Sequence, residues 1–369
     1  AGGPGGGGAG KSPGVAAVAG TTNTGGGGGG TGGGPGPTTS GAGGSGIVVV
    51  KELTYASGVW SMQDQNASIT EDTWPKPSAV TGFTSINVLV VGGGGSGASP
   101  QGGGGGAGGY RFCATMPISP GNTYKITVGA GGAAKPGPAP QNPGNKGNAS
   151  SFDTCCVGTK FESAGGGAGK NRPPTPACID GGSGGGGGEG AGFGEGNNPP
   201  TCPVQGYDGG GATPAACGSG GGGAGGVGVS NPPGAEMPPG PNTTGGVGSS
   251  AWPGDSTMRA GGGGGAGRPA PGGSSPCCTG GIGGQSQYAH VEATAGATNT
   301  GAGGGGAGGG GPGSTCDSGA GGPGVVLIQF PDAFAGKGIT GGTPACGAST
   351  PGCTHTHTFN ATGCFVIPF

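Results

Sequence analysis

Apolar side chains in this chain come in short clusters set far apart. IVVVKEL (Ile47–Leu53), SINVLVV (Ser85–Val91), YRFCA (Tyr110–Ala114), TYKITV (Thr123–Val128), VVLIQF (residues 325–330) and THTHTFNATGCFVI (residues 354–367) hold more than half of the chain's Val, Ile and Leu residues. Each is rich in β-branched or aromatic residues and short enough for one strand or, at 354–367, one hairpin, and none shows the i, i+3, i+4 spacing of an amphipathic helix. Tyr110–Ala114 and Thr123–Val128 flank Ser119-Pro120-Gly121-Asn122 and read as a hairpin. Residues 354–367 read as a second hairpin, with Ala361–Gly363 at its turn. Between the clusters run glycine blocks at 92–95, 102–106, 184–188, 220–223, 261–265 and 303–306, separated by Pro/Asn-rich stretches at 136–148, 196–207 and 231–244.

Composition changes what those spacers can be. Of 369 residues 112 are Gly and 35 are Pro, while only 8% are charged and the formal net charge is −2. An ordinary domain has about 7% Gly and about 25% charged residues, so the usual oil-drop core is out of reach. Disorder normally combines low hydrophobicity with high net charge, and this chain lacks the charge. Fixing a residue's backbone costs about 1–2 kcal/mol, most for glycine, and few side chains here can offset that. Hydrogen bonds and Cα–H···O contacts between extended three-residue-per-turn helices can, because only glycine lets backbones approach so closely. Collagen is excluded, since no strict G-X-Y period runs through the sequence. The expected fold class is therefore mostly β, with short antiparallel strands beside a bundle of polyglycine II-like helices and almost no α-helix.

An internal repeat organises the chain. Residues 19–50 (AGTTNTGGGGGGTGGGPGPTTSGAGGSGIVVV) and 295–328 (AGATNTGAGGGGAGGGGPGSTCDSGAGGPGVVLI) both run from A-G-x-T-N-T through a glycine block into a β-branched strand. The resulting division is 1–46, the end of a preceding glycine-rich unit; 47–91, a small β segment; 92–330, the glycine-rich body; and 331–369, a linker and C-terminal hairpin.

The order SINVLVVGGGGSG, GGGGGAGGYRF, PGNTYKITVGAGG, NASSF and GGPGVVLIQFPDAF resembles the glycine-rich domain of phage tail and tail-fibre proteins. THTFNATGCFVIP is similar to a hairpin that in that family stands just before the VLVVGGGG strand; here it lies at the C-terminus. The resemblance implies a virion-surface adhesive role, with copies of the chain as partners in a trimer or helical filament and a glycan or protein of a host surface as a further partner. Because the chain opens with the end of one unit and closes with what resembles the start of another, units are expected to complete one another. The strand Cys364, Phe365, Val366, Ile367 would then pair with a sheet edge near Ser85–Val91 or Ile47–Leu53, in its own chain or a neighbour's. A self-assembling extracellular filament joined by strand exchange is the alternative. An ice-binding glycine-helix protein ranks third, for want of a tight three-residue period.

Candidate chemistry is sparse. In a chain this rich in glycine, matches to G-x-G-x-x-G carry no nucleotide-binding information, and no cofactor is expected. Near-neutral charge argues against nucleic acid, and the apolar runs are too short to cross a membrane. Scattered acids form neither a Ca²⁺ loop nor a catalytic pair, so no catalytic residue and no enzyme activity are expected. His355 and His357, at i and i+2, share one strand face. In a threefold fibre six imidazoles would ring the axis as a metal site; otherwise they are exposed residues of a Thr-rich strand. Twelve cysteines (Cys113, Cys155, Cys156, Cys178, Cys202, Cys217, Cys277, Cys278, Cys316, Cys346, Cys353 and Cys364) form no zinc pattern and are candidates for disulfides in an oxidising location. Trp60 and Trp74 bracket the least glycine-rich segment as its miniature core. Trp252, in SSAWPGDSTM between glycine blocks, is the candidate for receptor contact.

Overall fold

The computed structural model describes residues 3–34, 39–46, 84–137, 142–153, 160–172, 179–212, 217–231, 243–253, 255–267, 272–275, 279–285, 291–309, 316–331, 334, 337–346 and 354–368. The expected strand Ile47–Leu53 and the Trp60/Trp74 core lie outside these. The chain forms two compact units, Ala1–Trp74 and Pro75–Phe369. Among the described residues there is no α-helix, and the regular elements are nine strands and many extended glycine segments.

All nine strands belong to the second unit. They are β1 (Ser85–Val91), β2 (Tyr110–Pro117), β3 (Thr123–Thr127), β4 (Ser150–Asp153), β5 (Lys160–Ser163), β6 (Val325–Pro331), β7 (Thr343–Cys346), β8 (Thr354–Phe359) and β9 (Gly363–Val366). They build two antiparallel sheets, ordered β2-β1-β6-β8-β7 and β5-β4-β3-β9. The sheets share one core. Val88, Val90, Val326, Ile328 and Phe330 of the first meet Tyr124, Ile126, Phe152 and Phe365 of the second, with Tyr124 stacked on Phe152 at 5.1 Å. Alternate residues Leu89, Val91, Val325 and Leu327 point the other way, into a second cluster with Tyr110 and Trp252. Burial on both faces explains why β1 and β6 read as unbroken apolar runs instead of alternating ones.

Both expected hairpins are corrected by the pairing. β2 pairs with β1 while β3 pairs with β4 and β9, so the turn at 119–122 carries the chain from one sheet to the other. In the same way β8 adds to β6 and β9 adds to β3, making residues 354–366 an arch that spans the sandwich. The strand Cys364–Ile367 therefore does not pair with Ser85–Val91. It lies against Thr123–Ile126 of its own chain.

The glycine segments are polyglycine II helices packed side by side. Along residues 92–98 the N–H groups point in rotation at three neighbours. Those of Gly92, Gly95 and Ala98 donate to Gly109, Gly106 and Gly103; those of Gly93 and Ser96 donate to Asn148 and Asn145; those of Gly94 and Gly97 donate to Gly322 and Gly319. A three-residue turn dictates this, since every third donor faces the same way. Residues 102–109 repeat the rule toward Ala307, Gly304 and Gly301, toward Lys170, Gly167 and Ala164, and toward Ser219 and Gly222. The glycines of 92–98 and 102–109 are fully buried in backbone. A Cβ on Gly104 would sit 2.1 Å from the Gly263 carbonyl oxygen. Each N–H···O=C bond contributes about 0.5–1.5 kcal/mol net, and the close contact adds Cα–H···O contacts of about 0.5–1 kcal/mol. Together they match the ordering cost of about 1–2 kcal/mol per residue.

The first unit repeats the end of this bundle. Bonds from Gly8 to Gly27, Gly20 to Ala42, Gly29 to Val18 and Gly44 to Gly26 recur as Gly281 to Gly303, Gly296 to Ala320, Gly305 to Thr294 and Gly322 to Ala302. The T-N-T-G turn is also shared. Asn23 and Asn299 have φ of 63° and 58°, Gly25 and Gly301 both 68°, and the Thr24 and Thr300 hydroxyls donate to the Thr21 and Ala297 carbonyls at 2.7 and 2.8 Å. Asparagine tolerates the left-handed region better than most residues, and glycine has no Cβ to clash there. That is why N-x-G survives in both copies.

Gly104→Ala should abolish cooperative unfolding of the second unit, because the Gly263–Gly264 backbone packed against it must move. Gly192→Ala, where nothing lies within 4 Å of the added methyl group, should leave the melting temperature within a degree or so. Circular dichroism melts of the two variants compare them directly.

Candidate functional site

Only one side of the arch presents polar side chains in a row. The register pairs Ile328 with His357 and Phe330 with His355, and it pairs Leu327 with Thr358 and Gln329 with Thr356. The period of two then places the histidines toward the sandwich core and Thr354, Thr356 and Thr358 on the opposite face. That face opens into a cleft of 460 Å³, floored by Val325 and Leu327 of β6 and walled by the threonine row.

The loop SSAWPGDSTMR makes the facing wall. Its ends are tied together, as Ser249 N–H donates to Arg259 O at 2.8 Å and Arg259 N–H to Ser249 O at 2.9 Å. The Arg259 guanidinium clasps Asp255 through both oxygens, at 2.9 and 2.8 Å, and also donates to Thr257 O at 3.2 Å. This charge-assisted, bidentate contact holds the Asp255 carboxyl below the usual carboxylate range; burial opposes it but does not win. Gln329 joins the walls to the floor: its amide nitrogen donates to Pro253 O at 3.2 Å and to the Thr354 hydroxyl at 2.8 Å, and its oxygen accepts from Asn87 at 3.0 Å. Asn299 and Thr300, from the T-N-T-G turn, close the cleft; Thr300 O accepts from Ala260 N–H at 2.7 Å.

Trp252 lines this cleft, yet it does not project as a free contact residue. Its indole is 3% exposed and meets Phe112 edge-to-face at 5.7 Å, so it fixes the loop to the sheet. Beside it, burial raises the pKa of the Tyr110 hydroxyl against the lowering pull of Arg259. Chemically the cleft offers hydroxyls, amides and one internally neutralised ion pair over an apolar floor. That combination suits a neutral, polyhydroxylated ligand. The threonine row and the Asp255–Arg259 clasp were not singled out from sequence, although the alternation THTHT was the signal for the first.

The histidines are corrected in turn. Instead of lying exposed, His357 is 4% exposed, donates through Nδ1–H to Gly341 O, and contacts Phe330 and Phe365 with ring centroids 5.3 and 5.7 Å away. His355 packs on the same Phe330 at 5.5 Å. Among the described residues no group of three or more His, Cys, Asp or Glu comes together as a metal site. Cys113, Cys202, Cys316 and Cys364 are free thiols, exposed at Cys202 and Cys364 and buried at Cys316, whose pKa burial raises. Cys217 is also buried. Cys346 lies in β7. Cys155, Cys156, Cys178, Cys277, Cys278 and Cys353 fall outside the described residues, as do residues 232–242 of the third Pro/Asn loop.

A family model described as a glycine-rich domain matches residues 68–331, well over half of the chain and ending where β6 ends. No curated protein matches.

Burial lowers the pKa of His357, with the Gly341 carbonyl pulling the other way and His355 adding to the lowering. The unfolded chain, with a pKa of about 6.5, thus binds the proton more readily. Stability is complete above about pH 6.5 and falls as the pH drops below it. Denaturant melts from pH 8 to pH 4 should show that decline, and His357→Leu should flatten the part of it that begins near about pH 6.5.

Proposed function

Because the chain belongs to the glycine-rich domain family, we propose that it is a structural and adhesive fibre protein, a component of a phage tail fibre or tail tip that meets a host surface. The observation that carries this reading is the polyglycine bundle. A body held by backbone bonds in three rotating directions is suited to bearing load, and it offers little of the side-chain chemistry that catalysis requires. On this reading the chain is not an enzyme, needs no cofactor, and acts outside the cell, on the virion surface, in company with copies of itself. Recognition falls to the loops and to the cleft between β8 and Trp252, whose hydroxyl-rich walls suit a surface glycan.

Immunogold electron microscopy of native particles tests the location; label absent from the tail would end the phage reading. For the cleft, Thr356→Arg fills the groove without touching either core, and purified variant protein should bind host cells at least tenfold more weakly than the parent. Binding that is unchanged would remove the cleft from recognition.

A second reading, a filament joined by strand exchange, is favoured by the arch. β8 and β9 each add to a strand of a different sheet, β6 and β3, with β7 lying beyond β8, and the same pairing between chains would link copies without any new chemistry. Deleting residues 354–369 bares the sides of β6 and β3 that β8 and β9 cover. Under this reading long assemblies vanish on deletion and return when the 354–369 peptide is added; assemblies that persist after deletion would rule it out.

A further inference from the structure

The two copies of the repeat differ in what surrounds their central glycine helix. In the second unit, residues 301–307 are enclosed on every side. On one side they bond to residues 279–297 and 319–322, as the first unit does internally. On the other, the N–H groups of Gly303, Gly304, Gly306 and Ala307 donate to Gly261, Gly95, Gly264 and Ala98 at 2.8–2.9 Å, and the carbonyls of Gly301, Gly304 and Ala307 accept from Gly108, Gly105 and Gly102. Residues 301–307 are all buried.

In the first unit the equivalent helix, residues 25–31, keeps only the first side. Among the described residues, no partner takes the N–H groups of Gly27, Gly28, Gly30 and Thr31, and all three glycines are exposed. The difference is sharpest where a Cβ is imagined. At Gly303 and Gly306 it would lie 2.0 and 2.1 Å from the carbonyl oxygens of Gly105 and Gly102, whereas at Gly27 and Gly30 nothing lies within 4 Å. These glycines are spared side chains at positions where their own unit has no need of it.

We infer that the open side of residues 25–31 is a docking surface for a second copy of this chain, which lays glycine helices of its body along it in the manner of residues 95–108 and 261–264 along 301–307. The occupant follows from the slot. Donors that recur every three residues on a face bare of side chains suit a polyglycine II backbone, and at the enclosed copy the helices that take them lie too close for a Cβ. The chain itself carries such helices in quantity. The surface has a single charged residue, Lys11, across residues 3–46, so two like copies meet no electrostatic barrier. Seven equivalent bonds at the enclosed copy show that the same residue pattern, in the same backbone conformation, is used this way one repeat along. The contact differs from strand exchange in using neither β8 nor β9, and it rests on the structural reading only in taking the chain to be an assembling subunit.

The test uses the full chain with Gly27→Val and Gly30→Val together. Both sites have open space and ordinary φ, so circular dichroism melts should match the parent. Sedimentation velocity across a hundredfold range of concentration should show self-association of the parent, and the variant should be at least tenfold weaker. Lys11→Glu, which leaves the glycine face intact, should associate nearly as the parent does at 0.15 M salt. The inference fails if the double variant associates as the parent does. It fails equally if the parent stays monomeric throughout, as it would if its own body covered the face. Host-cell binding by a monomeric parent would leave the adhesive reading standing while ending this one.

Discussion

Everything in this protein depends on the distance at which two backbones can lie. When a residue has no Cβ, the N–H···O=C bond and the Cα–H···O contact can form together between neighbouring helices, and a helix with three residues per turn distributes its donors evenly around itself. Residues 92–98 show the outcome, with donors that rotate through three neighbours in sequence order. Side-chain burial, which drives most folds, is concentrated among the described residues in two clusters, one on either face of β1 and β6. The strands act as an end-plate to which the helices are anchored: β1 runs directly into residues 92–98, residues 102–109 run into β2, and residues 316–324 run into β6.

That continuity explains how the cleft is built. Trp252 sits in a loop between two glycine helices and is held against the outer face of β1 and β6, where Leu89 and Leu327 receive it. The threonine row arrives from the other end of the chain on β8. The cleft thus forms where the bundle, the sandwich and the C-terminal arch converge. Its one ion pair is satisfied internally, so the site carries polarity without net charge.

Much of this was legible in the sequence, for reasons that differ by element. The glycine helices could be read because nothing else offsets so much backbone entropy in a chain with so few apolar or charged residues. β1 and β6 could be read because a β-branched run of that length fits little else. What could not be read was partnership. Tyr110–Ala114 and Thr123–Val128 look like a hairpin because local spacing is all a sequence offers, whereas the chain changes sheet at the turn. Residues 354–367 mislead in the same way. β4 and β5, at SSFD and KFES, are too short and too polar to stand out, and they exist because β3 offers an edge. His355 and His357 share a face, as the period of two requires, but which face is core depends on a register with β6 that is set more than twenty residues away.

The rotation of donors along each glycine helix has a mechanical corollary. A β-sheet resists stretching along its strands and bends readily across its plane, because its hydrogen bonds all lie in one layer. In the body formed by residues 92–109 and their neighbours there is no such layer, for successive residues are bonded in directions about 120° apart. A transverse load from any quarter therefore meets the same ladder of bonds. The cross-section has no soft axis, and a crack that opens one row of contacts finds the next row turned against it.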